Sequence, residues 1–320
     1  MQAATYEQLC RDKNKANRLG SLILPLVAEH YQGQPQKPLV IWIEATGCSG
    51  NSISLWNSIG PDMQQILNNL IDVRYWHYLM AAQDQNAIAS LYQSARENAG
   101  SYFLIIEGAI ATKPGYDALF ALNGRYISTG EVLQQLGQDA KHIMAVGTCA
   151  AFGGFSAARP NPSGSVGASA FLQRPVINVS GCPAHPDWIM GILGYLLMYG
   201  APPVNENGQP LMFYEYTIHQ RCQRRSYFDK HEFAVKIGDP ECMFKLGCKG
   251  PVTHADCPVR LWNGYVNWPV KANTPCIGCT NPAFPDASEP FFEPLPEKHQ
   301  VVKKNSKRRT RRVKMQRRRR

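Results

Sequence analysis

What this 320-residue chain lacks narrows its function before any motif does. No stretch approaches the roughly 18–20 apolar residues that a membrane-spanning helix needs. The longest apolar segments, GSLILPLVA near the start and WIMGILGYLLMYG at 188–200, suit a globular core. The opening MQAATYEQLCRDKNK has neither an export-signal pattern nor a twin-arginine pair, which predicts a cytoplasmic location. The body also lacks excess positive charge. Of 34 Lys and Arg, twelve fall in residues 303–320, and without them the net +10 becomes −2. A basic nucleic-acid groove built into the fold is not expected from such a body. No internal repeat is evident.

Cysteine, by contrast, is plentiful at 10. In a reducing compartment these are metal ligands before they are disulfides. From residue 38 onward apolar strands alternate with amphipathic helices. Strands are predicted at Leu39–Ile43, Val73–Trp76, Ser101–Ile106, His142–Val146 and Pro175–Val179. Between them 61–70, 85–98 and 130–140 carry apolar residues at three- and four-residue spacing, the mark of a buried helix face. The alternation predicts an α/β fold with a doubly wound, mostly parallel sheet, whose ligands sit beyond the carboxyl ends of the strands. Cys48, Cys149 and Cys182 all follow strands there.

Beyond about residue 200 periodicity fades. Residues 211–290 are rich in Cys, Gly, Pro and aromatics, so inorganic groups are expected to organise them. His219, Cys222, Cys242 and Cys248 make a set of four nitrogen and sulfur donors, open to zinc or to an iron–sulfur cluster. Cys257, Cys276 and Cys279 offer only three thiolates, with Pro269 between them. Three are too few for structural zinc and suit a cluster lacking one iron corner.

In this order the pieces TGCSG, IIEGAI, MAVGTCAAFGG, NVSGCPAHPDW, IHQRC, ECMFKLGCKGPVTHADCP and VNWPVKANTPCIGCTNPAFPD closely resemble the small subunit of nickel–iron hydrogenases. The resemblance implies an extension at 1–36, a flavodoxin-like domain at 37–200 and a cluster-organised domain at 201–290, with a disordered basic tail at 291–320. It implies a proximal 4Fe–4S (or 3Fe–4S) cluster on Cys48, Cys149 and Cys182. A medial 3Fe–4S cluster would sit on Cys257, Cys276 and Cys279, and a distal 4Fe–4S cluster on His219, Cys222, Cys242 and Cys248. The implied partners are a large subunit that holds nickel and iron and an electron acceptor, in a dimer of heterodimers. Cys10 is left over as an incidental thiol.

One departure stands out. The family pattern Cys-Thr-Gly-Cys reads Ala45-Thr46-Gly47-Cys48 here, and alanine cannot bind iron. Members of the actinobacterial type are understood to use three cysteines and one aspartate, which makes Asp84 the candidate fourth proximal ligand. Its competing role is N-cap of the following helix. Glu44 is expected to accept loop amides or to serve a local proton role, and Glu107 to meet the large subunit or anchor a loop amide. His185 is expected either to hydrogen-bond near the cluster or to be a packed loop histidine, and Trp262, Tyr265 and Trp268 to form an apolar shell around the medial ligands. The alternative from a different class is a zinc protein binding nucleic acid through the Arg-rich tail.

Overall fold

The computed structural model describes residues 1–12, 19–31, 37–117, 119–122 and 124–295. Five parallel strands run β1 (Leu39–Glu44), β2 (Asp72–Tyr75), β3 (Phe103–Glu107), β6 (His142–Val146) and β7 (Ile177–Val179). Their order is β2-β1-β3-β6-β7, the flavodoxin-like order 2-1-3-4-5 once the small hairpin β4 (Leu119–Leu122) and β5 (Arg125–Ser128) is set aside. β1 and β3 are buried along nearly their whole length. This is why they read as unbroken apolar runs rather than as alternation.

Helices α3 (Gly50–Trp56), α4 (Met63–Asn69), α5 (Asp84–Glu97), α6 (Thr129–Asp139), α7 (Thr148–Phe152), α8 (Ala168–Leu172) and α9 (Pro186–Tyr199) supply the crossovers and covers. Two of them start on capping boxes, Asp62 with Gln65 and Ser128 with Glu131. α9 is buried nearly all round, as its sequence predicts.

Within the extension expected at 1–36, residues 1–12 and 19–31 are described. α1 (Ala3–Arg11) and α2 (Leu19–His30) join the core through Tyr6, Cys10, Leu19, Ile23 and Val27, all at most 1% exposed. Tyr6 donates its hydroxyl to the Gly191 carbonyl at 2.8 Å. The C-terminal part has only short helices, α10 (Leu211–Tyr214), α11 (Ile218–Arg221), α12 (Arg225–Asp229) and α13 (Cys257–Arg260). Of the tail expected at 291–320, residues 291–295 are described, ending on buried Leu295, and 296–320 lie outside the described residues. Among the described residues no helix is long and apolar enough to cross a membrane.

A buried ion cluster locks the two parts together. Arg260 on α13 reaches Asp187 of α9 at 2.8 Å and Asp256 at 2.7 Å. It also donates to the Cys10 carbonyl of α1 at 3.0 Å. Trp188 donates to Asp256 at 2.7 Å and Tyr265 to Asp187 at 3.1 Å. One guanidinium thus ties three segments far apart in the chain.

Candidate metal centres

The first thiols are placed by the carboxyl edge of the sheet. Glu44 and Glu107 face each other at the ends of β1 and β3. The chain then stays paired, with Ala45 N–H on the Glu107 carbonyl at 2.7 Å and Thr46 exchanging bonds with Ala109. Gly108, at φ +85°, permits this approach, since a Cβ there would lie 2.9 Å from the Ala45 backbone. Buried Glu107 turns its carboxylate onto α3, accepting from Asn51 N–H at 2.8 Å, Ser52 N–H at 3.2 Å and the Trp42 indole at 3.2 Å. It therefore anchors amides in the first turn of α3, not loop amides as expected. Beneath it Trp42 and Trp76 stack at 4.3 Å, worth about 0.5–1.5 kcal/mol beyond area burial.

The Cys48 loop is joined to the Cys182 loop by Asn51, whose side-chain oxygen accepts from Ala184 N–H at 2.8 Å. The Cys149 loop joins them through Thr148, whose hydroxyl accepts from Gly181 N–H at 2.9 Å and donates to the Cys279 carbonyl at 2.5 Å. Burial first, then Cys279, Cys149 and Cys48, pushes the Cys182 thiol up to about 12. Three thiols within electrostatic reach of one another fit a site that a cationic centre would deprotonate. Cys48 and Cys182 are exposed, so this site opens at the surface.

Asp84 behaves differently. It is the first residue of α5, exposed, at φ +47°, and the N-cap is Gln83. The expected cap role at Asp84 is thus corrected by one position. The carboxylate lies on the side of the sheet where the chain leaves β2, but it is not among the groups raising the Cys182 thiol. Glu44 accepts a hydroxyl from Ser49 at 2.7 Å rather than loop amides, and its other oxygen lies 3.5 Å from His77 Nε2.

Cys279 begins the second group. Burial raises its thiol, while the Cys182 N–H, directed at the sulfur, lowers it. Cys257, Cys276 and Cys279 line one cavity of about 390 Å³ with Trp262, Trp268 and Pro269. Burial raises the Cys257 thiol, which also feels Cys279 and accepts a bond from Trp262. Trp262 and Trp268 thus form the expected apolar shell. Tyr265 belongs instead to the Arg260 cluster, through Asp187.

A third group follows. His219, Cys222, Cys242 and Cys248 line one small cavity with Arg224 and Phe244. Lys249 N–H donates to the Cys276 carbonyl at 2.7 Å, and the Cys276 thiol feels Cys248. The second and third groups are therefore neighbours. Burial first, then the nearby Arg225, lowers His219 to about 4, leaving its imidazole neutral and able to act as a ligand near pH 7. Burial, opposed by the Arg224 N–H, sets the Cys222 thiol at about 11. Among the described residues no three His, Cys, Asp or Glu side chains are arranged to hold a single ion. The donors of the second and third groups line cavities instead.

His185 is a joint, not a ligand. Its Nδ1 accepts from Asp187 N–H at 3.0 Å and caps α9, so its Nε2–H donates to the Leu261 carbonyl at 2.8 Å. Burial, with Arg260 adding to it, depresses its pKa to about 3 from the usual 6.5. The unfolded chain therefore takes up a proton below about 6.5 that the fold refuses until about 3. Stability from this residue is complete above about 6.5 and is lost as pH falls, by up to about 1.4 kcal/mol per pH unit. Urea midpoints taken from about pH 7 to about pH 4 should fall less steeply in His185→Asn; an unchanged slope would remove His185 as the cause.

Comparison with known proteins agrees with the sequence pattern. Residues 214–292 match the C-terminal family of the NiFe/NiFeSe hydrogenase small subunit, and 48–196 match the 20 Kd subunit of NADH ubiquinone oxidoreductase. The chain is 37% identical to the periplasmic [NiFeSe] hydrogenase small subunit of Desulfomicrobium baculatum, over 80% of this chain and 87% of that one. It is 33% identical to the uptake hydrogenase small subunit of Azotobacter vinelandii, over 91% and 82%. The solved actinobacterial-type NiFe-hydrogenase from Ralstonia eutropha H16 matches with a TM-score of 0.76 and 28% identity, over 88% of this chain and 89% of that one. A zinc protein of nucleic acid finds no support among these relatives.

Proposed function

The chain belongs to the small-subunit family of nickel–iron hydrogenases, and we propose that it relays electrons from hydrogen oxidation through three iron–sulfur sites. Membership makes it part of a hydrogenase whose catalytic site lies in the large subunit. The observation that carries the relay is the line of thiols, from Cys48 through Cys182 and Cys279 to Cys276 and Cys248. It begins at an exposed edge and crosses both parts of the chain.

Cys48, Cys149 and Cys182 would hold the proximal cluster, Cys257, Cys276 and Cys279 the medial 3Fe–4S cluster, and His219, Cys222, Cys242 and Cys248 the distal 4Fe–4S cluster. Bound there, the clusters would supply reversible one-electron chemistry. The protein's own residues hold the donors at fixed places, exclude water with Trp262 and Trp268, and direct N–H groups at the sulfurs. The rim of Ile53, Trp56, Ile59, Tyr78 and Phe155, each at least 41% exposed, supports docking of the large subunit beside Cys48. Iron and acid-labile sulfide, with electron paramagnetic resonance of the complex under hydrogen, test this. Zinc without iron would overturn it.

Asp84 is the proposed fourth proximal ligand, supported by Ala45 standing where a cysteine would be and by its place at the carboxyl side of β2. Asp84→Ala should change the proximal resonance and lower the iron content; an unchanged spectrum would rule the ligand out. We also place the complex in the cytoplasm, as a dimer of heterodimers working toward hydrogen uptake. Cell fractionation, light-scattering mass and an oxidation assay in air address these points.

A further inference from the structure

We propose that the Arg224 guanidinium is the fixed counter-charge of the third donor group and biases that site toward its reduced form. The proposal deepens the relay reading above and rests on it. Arg224 is only 8% exposed and lines the cavity of His219, Cys222, Cys242 and Cys248. Its partners are all uncharged atoms. One terminal nitrogen donates to the Asp239 carbonyl at 2.7 Å and the Glu241 carbonyl at 2.8 Å. The other donates to the side-chain oxygen of Asn273. Among the described residues no carboxylate pairs with it. Asp239 commits its carboxylate to the N–H groups of Val235 and Lys236, each at 3.0 Å. The next residue, Arg225, differs, with Asp229 at 2.9 Å. Lys249 differs again: its ammonium donates to the Glu293 carbonyl at 2.6 Å, and the Glu293 carboxylate acts on it. A guanidinium cannot shed its proton to escape burial. Held out of water among dipoles alone, it carries a cost that an anion beside it would offset.

The donors themselves would supply that anion. The guanidinium is held through the Glu241 carbonyl, one residue before Cys242, and its own N–H donates to Cys222 Sγ at 3.4 Å. Burial raises the Cys222, Cys242 and Cys248 thiols, and the Arg224 charge opposes that rise at all three. Its field therefore reaches each sulfur of the group. An iron–sulfur core held by three thiolates and a neutral imidazole is net negative, and more so with each added electron. A fixed cation beside it favours the reduced form and so raises the reduction potential. On the relay reading this draws electrons outward from the second group to the third. The bonds to Asp239, Glu241 and Asn273 matter because they hold the charge still, so that it acts without rearranging as the electron arrives.

The test is a redox titration of the complex of this chain with its large subunit, followed by electron paramagnetic resonance of the third site. Arg224→Gln should shift the balance at a given potential roughly tenfold toward the oxidised form, about 59 mV for one electron. Arg224→Lys keeps the charge and should recover most of that shift. Asn273→Asp tests the same charge without removing the guanidinium. The bond stays, a carboxylate now neutralises the cation, and the balance should again move toward the oxidised form. Asn273 sits at φ +63°, a conformation aspartate also adopts, so this variant decides the matter where Arg224→Gln fails to fold. An unmoved midpoint in Arg224→Gln or Asn273→Asp, or equal shifts in Arg224→Gln and Arg224→Lys, would overturn the proposal. Iron content and the resonance of the unaltered complex report separately on the relay. Iron present with unmoved midpoints removes the role of Arg224 alone, whereas no iron-based resonance at this site removes the relay and the proposal together.

Discussion

Arg260→Met should destabilise the chain by about 3–5 kcal/mol, among the largest losses expected from any single substitution. Methionine fills much the same space but leaves Asp187 and Asp256 facing each other without their cation. Both acids are at most 3% exposed, so water cannot replace the guanidinium. Breaking a buried pair by removing one partner is costly for that reason, even where the intact group adds little over an apolar one. The effect should spread to α1, which loses the bond to its Cys10 carbonyl. Denaturant unfolding followed by tryptophan fluorescence would measure the loss. A change below about 1 kcal/mol would mean that the carboxylates find other partners or take up protons.

Cys279→Ala should stop electron transfer to the acceptor while leaving hydrogen activation in place. Cys279 sits where the first group of thiols meets the second, receiving the Cys182 N–H on its sulfur and the Thr148 hydroxyl on its carbonyl. On the proposed relay, the medial site would keep two thiolates without the Cys279 sulfur. The drop in acceptor reduction should exceed the roughly 10–100-fold that losing a mere supporting contact causes. Hydrogen–deuterium exchange by the same complex should persist, because that chemistry belongs to the partner. Normal iron content with normal acceptor reduction would remove Cys279 from the relay.

The sheet was legible because its strands are buried and their apolar runs are bounded by loops. The predicted β1 and β6 lie within a residue of the observed strands, and β7 is shorter at its start, where Pro175 cannot join the ladder. The residues that line two cavities, His219, Cys222, Cys242 and Cys248 in one and Cys257, Cys276 and Cys279 in the other, are those that stand apart by spacing in the sequence. Less visible was anything that depends on a distant partner. Nothing in the local pattern around Tyr6 or Ile23 announces that α9 lies against them. Nor does the spacing of Asp187, Asp256 and Arg260 show that one cation joins them. The N-cap at Gln83 rather than Asp84 is a difference of one residue, which composition could not resolve because both polar residues precede the same apolar face.

The seam between the two parts of the chain is also where its thiols lie. Cys257 and Cys276 are buried at that seam, closed over by Trp262 and Trp268 and bolted by Thr148, Ser180 and Arg260. On the relay reading, a cluster held there would touch both parts of the chain at once, so its loss should loosen the seam as well as interrupt the relay.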